Sequence, residues 1–263
     1  MHDRDGRLSS DSLYYRVWDV PDSRADVLVS HGYAEHGGRY DHVARALNEV
    51  GCRVWAVDHR GHGHSQGERG DFGTWESVVA DFDLLVDAAV AEGGDRPLFL
   101  VGHSLGGAIA IAYAEAHQGR LSGLSLSAPA IVFPPEIVAL ADLAEIPDLP
   151  LADVVSSDPE VVRAYKQDPL VHQGPPPAAT LRNFGGVQAL VDRLAEITIP
   201  VQIMHGAGDL IVAPEAYKAV VAGVSSDDVV ARLWPALYHE IFNEPTAGAV
   251  VGALVSWISA RLT

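Results

Sequence analysis

Pro97-Leu98-Phe99-Leu100-Val101-Gly102-His103-Ser104-Leu105-Gly106-Gly107-Ala108-Ile109-Ala110 is the stretch on which the fold turns. Leu98 to Val101 is a short, wholly apolar run and predicts a strand buried on both faces. Gly-x-Ser-x-Gly follows, and the alanine-rich Ala108 to Ala116 suits a helix. Strand, sharp turn and helix make a corner that holds a serine hydroxyl at the tip of a strained backbone. Gly102 and Gly106, two residues to either side of Ser104, let strand and helix pass without Cβ clashes. The helix N-terminus aims backbone N–H groups at the place where an oxyanion would form. Ser104 is the candidate nucleophile; the alternative is a glycine-rich turn with an idle serine.

The pattern around this corner alternates. Val27 to Ser30 and Arg53 to Val57 predict buried strands, and each runs into a polar, Gly-rich loop, His31 to Tyr40 and Asp58 to Ser65. Ligands bind at such strand ends in open α/β sheets. Leu13 to Val20 alternates as an edge strand, Leu121 to Leu126 is a further strand, and Asp41 to Val50 and Trp75 to Ala91 have helical spacing. The rhythm then breaks. Ile131 to Gly186 carries Pro134, Pro135, Pro147, Pro150, Pro159, Pro169 and Pro175 to Pro177 among short helical pieces such as Ile137 to Leu143. That is too long for a loop in a compact domain. It reads as an inserted cap whose apolar residues either line an acyl tunnel, touch a lipid aggregate or simply pack onto the core. The alternation resumes with a helix over Val187 to Ile197, a strand over Val201 to Met204 and a helix over Pro214 to Val221. A strand over Val229 to Leu233 and a closing helix over Pro245 to Leu262 complete it. The fold class is α/β, a mostly parallel doubly wound sheet with a core from residues 1–130 and 187–263 and a cap from 131–186.

Composition sets outer bounds. The chain has 263 residues, 48% of them hydrophobic, enough for one domain with a sizeable core. With 35 acidic against 18 basic residues the net charge is −17, which disfavours nucleic acid and anionic bilayers as partners. Cys52 is the only cysteine, so no disulfide forms within the chain. Met1 to Ser12 lacks the apolar centre of a signal peptide, and no stretch reaches the length of a membrane span. A cytoplasmic protein is expected, with peripheral attachment to a membrane or the cell envelope left open. The three histidines of Asp58-His59-Arg60-Gly61-His62-Gly63-His64-Ser65 suit a tight turn better than a metal cage, so no metal is expected.

A serine needs a base, and the base a carboxylate, in the chain order serine, acid, histidine. Of the histidines after Ser104, His117 ends the helix of the corner, His172 lies in the cap and His205 closes a strand. His239 falls in a loop after the last strand, where the base belongs. Asp209 follows a strand end in His205-Gly206-Ala207-Gly208-Asp209 and is the candidate acid. Glu215 lies inside the next helix as a surface charge, and Asp58 precedes the serine and braces its own loop. The two oxyanion donors are expected from the backbone N–H groups of Leu105 and Tyr33.

These residues resemble the monoacylglycerol lipases of the α/β-hydrolase superfamily, actinobacterial members especially, from about Val27 to the C-terminus. The resemblance is carried by His31-Gly32, Glu35-His36, Arg39-Tyr40, Asp58 to Gly63 and Gly102-His103-Ser104. In the cap it includes Asp158 to Val162 and Ala164 to Val171, and near the end Tyr238 to Pro245. It implies the α/β-hydrolase fold, the triad Ser104, Asp209 and His239, and oxyanion donors at Tyr33 and Leu105. It also implies a polar pocket for a glycerol head at Glu35, Arg39, His103 and Tyr165; Glu35 and Arg39 read equally as a loop-bracing ion pair. Family members often carry methionine where this chain has Leu105 and a smaller residue at Tyr33, and both departures leave the N–H groups in place. The implied activity is hydrolysis of monoacylglycerols to fatty acid and glycerol through an acyl-enzyme, without a cofactor, on a small lipid ester that a transient contact of the cap with lipid surfaces could deliver. The alternatives are a carboxylesterase or lysophospholipase, and a ligand-binding protein that keeps the fold but turns over slowly or not at all.

Overall fold

The computed structural model describes residues 2–9 and 12–262. Among the described residues eight strands form one sheet: β1 (Arg4–Leu8), β2 (Leu13–Trp18), β3 (Ala25–Ser30), β4 (Cys52–Val57), β5 (Leu98–His103), β6 (Gly123–Ser127), β7 (Val201–Gly206) and β8 (Val229–Trp234). Their order is β1-β2-β4-β3-β5-β6-β7-β8. Strands β1, β2 and β4 pair antiparallel, and every pair from β4 to β8 is parallel. This is the α/β-hydrolase arrangement.

The central strands are mainly apolar because both faces are covered. Leu28, Leu98 and Leu100 face one layer, with α2 (Trp75–Gly93) and α3 (Leu105–His117). Val27, Val29, Phe99 and Val101 face the other, with α1 (Asp41–Asn48) and the last long helix (Ala247–Ser259). Period-two alternation of two apolar sets gives a continuous apolar run, the mark of a doubly covered strand.

Between β6 and β7 the chain makes short helices, α4 (Pro135–Ala139), α5 (Pro159–Gln167), α6 (Ala178–Gly185) and α7 (Gln188–Val191). Thr180 Oγ1 donates to Gly70 O at 2.8 Å and Asn183 Nδ2 to Gly73 O at 2.6 Å. Leu181 and Phe184 of α6 pack with Phe72, Val78, Leu105 and Ile109. This connection therefore lies over the turn that begins α3. After β7 come α8 (Glu215–Gly223), β8 and α9, the Ala247–Ser259 helix.

Three expectations about elements need correcting. Leu13 to Val20 is not an edge strand: β2 pairs with β4 on one side and β1 on the other. The edge is β1, in register from Arg4 opposite Val17 to Leu8 opposite Leu13. Its residues, Arg4-Asp5-Gly6-Arg7-Leu8, are mostly charged and show no apolar alternation, and charged side chains protect an exposed edge. Val187 to Ile197 is not one helix but α7 followed by a 3₁₀ turn at Leu194–Glu196. Leu194 and Ile197 are three residues apart and both buried, a spacing that a three-residue turn puts on one face. Ile137 to Leu143 likewise divides, between α4 and a 3₁₀ turn at Leu140–Asp142. Among the described residues no helix is long and apolar enough to cross a membrane.

Candidate active site

Ser104 joins β5 to α3 with φ 53° and ψ −121°, a conformation that L residues rarely adopt. The strain is held by its neighbours. Its N–H donates to Ser127 O at 3.0 Å, and its carbonyl accepts from Gly107, Ala108 and Ala130. The two glycines of the motif are sterically required. A Cβ on Gly106 would collide with the carbonyl oxygens of Ser30 and His31, and one on Gly102 with the carbonyl of Gly106.

The same packing brings the loop after β3 onto the serine. A Cβ on Gly32 would stand 3.2 Å from Ser104 Cβ. Neither the Tyr33 nor the Leu105 backbone N–H donates to another group among the described residues. Both flank the serine, one beside Gly32 and one at the first position of α3, where amide donors are unpaired by construction. The Tyr33 ring meets His62, His172 and Phe184 edge-on. A bond from His172 N–H to Ala34 O, 2.8 Å, ties this loop to the β6–β7 connection.

Asp209 and His239 come from loops after β7 and β8, adjacent parallel strands. His239 Nδ1 stands 2.7 Å from Asp209 Oδ2. Asp209 Oδ1 accepts the N–H groups of Ile211 and Val212 at 2.8 and 2.9 Å. Burial opposes ionisation of this carboxyl, but the His239 ring, the His205 ring and the Val212 N–H together hold it well below the usual carboxylate range. Ser104, Leu105 and His239 line one cavity. Among the described residues no hydrogen bond joins Ser104 Oγ to the His239 ring; such bonds often tighten only with substrate present.

The cavity measures about 380 Å³ and is largely apolar, walled by Phe133, Ile137, Leu149, Leu151, Val154 and Ile211 among others. Its polar lining includes Glu35, His103, Tyr165 and Glu240. Arg39 does not line it. Its guanidinium sits 4.7 Å over the Tyr165 ring, 2.8 Å from Glu35 Oε2 and within 2.5 and 2.7 Å of the Glu240 carboxylate. Glu35 also accepts the Gly32 N–H and the Tyr40 hydroxyl, each at 2.7 Å. Burial alone would raise its pKa, but Arg39, His103 and these donors hold it below the ordinary value. His103 Nδ1 faces Ser127 Oγ at 3.0 Å, and its ring centre lies 4.7 Å from that of His239. Burial and the neighbouring His239 lower the His103 pKa to about 4, so this ring is neutral near pH 7.

Two residues escaped the sequence reading. Glu240 is next to His239 yet pairs with Arg39, some two hundred residues away, and His205 approaches Asp209. A charged residue in a buried loop has no periodic signature, so only its partner reveals it. Among the described residues no group of three or more His, Cys, Asp or Glu is placed to hold a metal ion. His59 Nε2 faces Ser30 Oγ and His62 Nδ1 faces Arg60 O, so those rings brace their turn.

A family model described as serine aminopeptidase, S33 (Hydrolase_4) matches residues 21–246. A monoacylglycerol lipase of Mycolicibacterium smegmatis is 40% identical over 95% of this chain and 94% of its own. The crystal structure of Paleococcus ferrophilus monoacylglycerol lipase superposes with a TM-score of 0.83 at 29% identity, over 95% of this chain and 99% of that one. A thermostable carboxyl esterase from Bacillus coagulans, in complex with glycerol, reaches 0.85 at 25% identity over 100% of both chains.

Proposed function

Because the chain belongs to the monoacylglycerol lipase family, within the Hydrolase_4 serine hydrolases, we propose that it cleaves monoacylglycerols to fatty acid and glycerol through an acyl-enzyme on Ser104. The observation that carries this reading is an apolar cavity that meets Ser104 and His239 beside the carboxylates of Glu35 and Glu240. An amphiphile with one acyl chain and a hydroxylated head matches that polarity. Residues 131–186 act as the cap that walls the acyl end.

His239 takes the Ser104 proton as the hydroxyl attacks the ester carbonyl. The Tyr33 and Leu105 N–H groups hold the oxyanion, helped by the positive end of α3. His239 returns the proton to the departing glycerol oxygen, then activates the water that releases the fatty acid. Asp209 keeps the His239 proton on Nδ1 and stabilises the imidazolium. Glu35 and Glu240 accept hydrogen bonds from the glycerol hydroxyls, with Tyr165 and neutral His103 at the same end; Arg39 fixes the two carboxylates and acts behind them. The cycle calls for no cofactor.

The test is hydrolysis of a long-chain monoacylglycerol beside the di- and triacylglycerols, a lysophospholipid and short soluble esters. The expected result is strong preference for the monoacylglycerol, abolished in Ser104→Ala. Equal or better turnover of short esters would replace this reading with a general carboxylesterase, which the likeness to the Bacillus coagulans enzyme favours.

A further inference from the structure

We propose that His205, at the end of β7, is a positioning residue for the Asp209 carboxylate; the inference rests on Asp209 as the acid of the triad. The imidazole is wholly buried. Its Nε2 lies 3.1 Å from Asp209 Oδ2 and 3.0 Å from Val212 O. Two oxygens facing one ring nitrogen put the hydrogen on Nε2, which donates to Val212 O and stays in contact with the carboxylate. Nδ1 is buried and has no hydrogen-bond partner among the described residues.

Asp209 Oδ2 is therefore held between two rings, His239 Nδ1 at 2.7 Å and His205 Nε2 at 3.1 Å. Oδ1 is held by the N–H groups of Ile211 and Val212. Val212 is tied at both ends, its N–H to the carboxylate and its carbonyl to His205. One imidazole thus fixes the acid directly and also fixes the loop that supplies its amide donors. The unpartnered Nδ1 offsets part of what the bond to Val212 O contributes, so stability alone is a weak reason for histidine here. What His205 supplies is orientation. Without it the carboxyl plane can turn about Cβ–Cγ, and the His239 ring turns with it, away from the serine.

The test compares His205→Leu with His205→Gln, whose amide reaches about as far as Nε2, and with His205→Asn, whose amide falls short. Hydrolysis of p-nitrophenyl butyrate is the readout, which does not depend on the acyl specificity proposed above. The Leu and Asn variants should lose kcat by about 10- to 100-fold with KM nearly unchanged, and Gln should recover most of the rate. A folded Leu variant with parental kcat would overturn the inference. Equal loss in Gln and Asn would do the same, and this pair decides the matter if Leu fails to fold. Full activity in Ser104→Ala would instead overturn the triad itself.

Discussion

Two loops at the same edge of the sheet, residues 58–65 after β4 and 207–212 after β7, each bury an aspartate against four nitrogen atoms. Asp58 accepts two bonds from Arg16, at 2.5 and 3.1 Å, and the N–H groups of Gly37 and His64, each at 2.9 Å. Asp209 accepts two amides and faces two imidazoles. Both carboxyls are held below their usual pKa range. The difference is the kind of cation. A guanidinium is permanently charged, so the Asp58 pair is a closed bracket across β2 and β4. An imidazole gains and loses its charge, so the Asp209 pair has a free end at His239 Nε2 that can do chemistry. Similar residues in similar turns make a brace in one place and a candidate catalytic pair in the other.

The comparison breaks most sharply at Asp209. Asp209→Asn keeps the shape but loses the charge and the tautomer control, and kcat should fall by about 10,000-fold, with a lower Tm as well because the carboxylate's own contribution to stability goes. Asp58→Asn should lose stability and spare the rate. It strands Arg16 in a buried site, which costs about 3–5 kcal/mol of stability, while the folded fraction keeps parental kcat. A folded Asp58→Asn protein without activity would show that the two loops are not functionally distinct.

Glu115, on α3, sharpens the comparison from a third direction. Its side chain is buried, neither oxygen has a hydrogen-bond partner among the described residues, and Arg193 approaches only to 3.6 Å. Burial raises its pKa to about 7. The folded protein therefore binds this proton more tightly than the unfolded chain, and stability falls as pH rises from about 4 through 7. The two aspartates have the opposite sign: their contribution is present above about pH 4 and is lost as pH falls below it. Glu115→Gln should raise stability at pH 8 by about 1–3 kcal/mol, and the gain should vanish toward pH 4. Thermal melts of parent and variant across that range check it; a gain independent of pH would remove the unpartnered carboxyl as its cause.

The central sheet was legible because burial on two faces leaves its mark residue by residue, as in Ala25–Ser30 and Leu98–His103. The corner at Ser104 was legible because only glycine allows the backbones to approach so closely at 102 and 106. Strand β1 was not, since an edge strand held by its partner's register needs no apolar pattern. Within the site, chain order suggested Asp209 and His239, but the distance between them depends on the pairing of β7 with β8.

Burial and backbone strain are written locally, so the α/β class, the serine corner and the segments that end at one edge of the sheet follow from the residues alone. Only the tertiary structure decided who meets whom: Arg39 with Glu240, His205 with Asp209, and Glu35 rather than Arg39 at the cavity wall. Polar contacts between distant loops depend on strand order and on a few tenths of an ångström, and neither has a period along the chain.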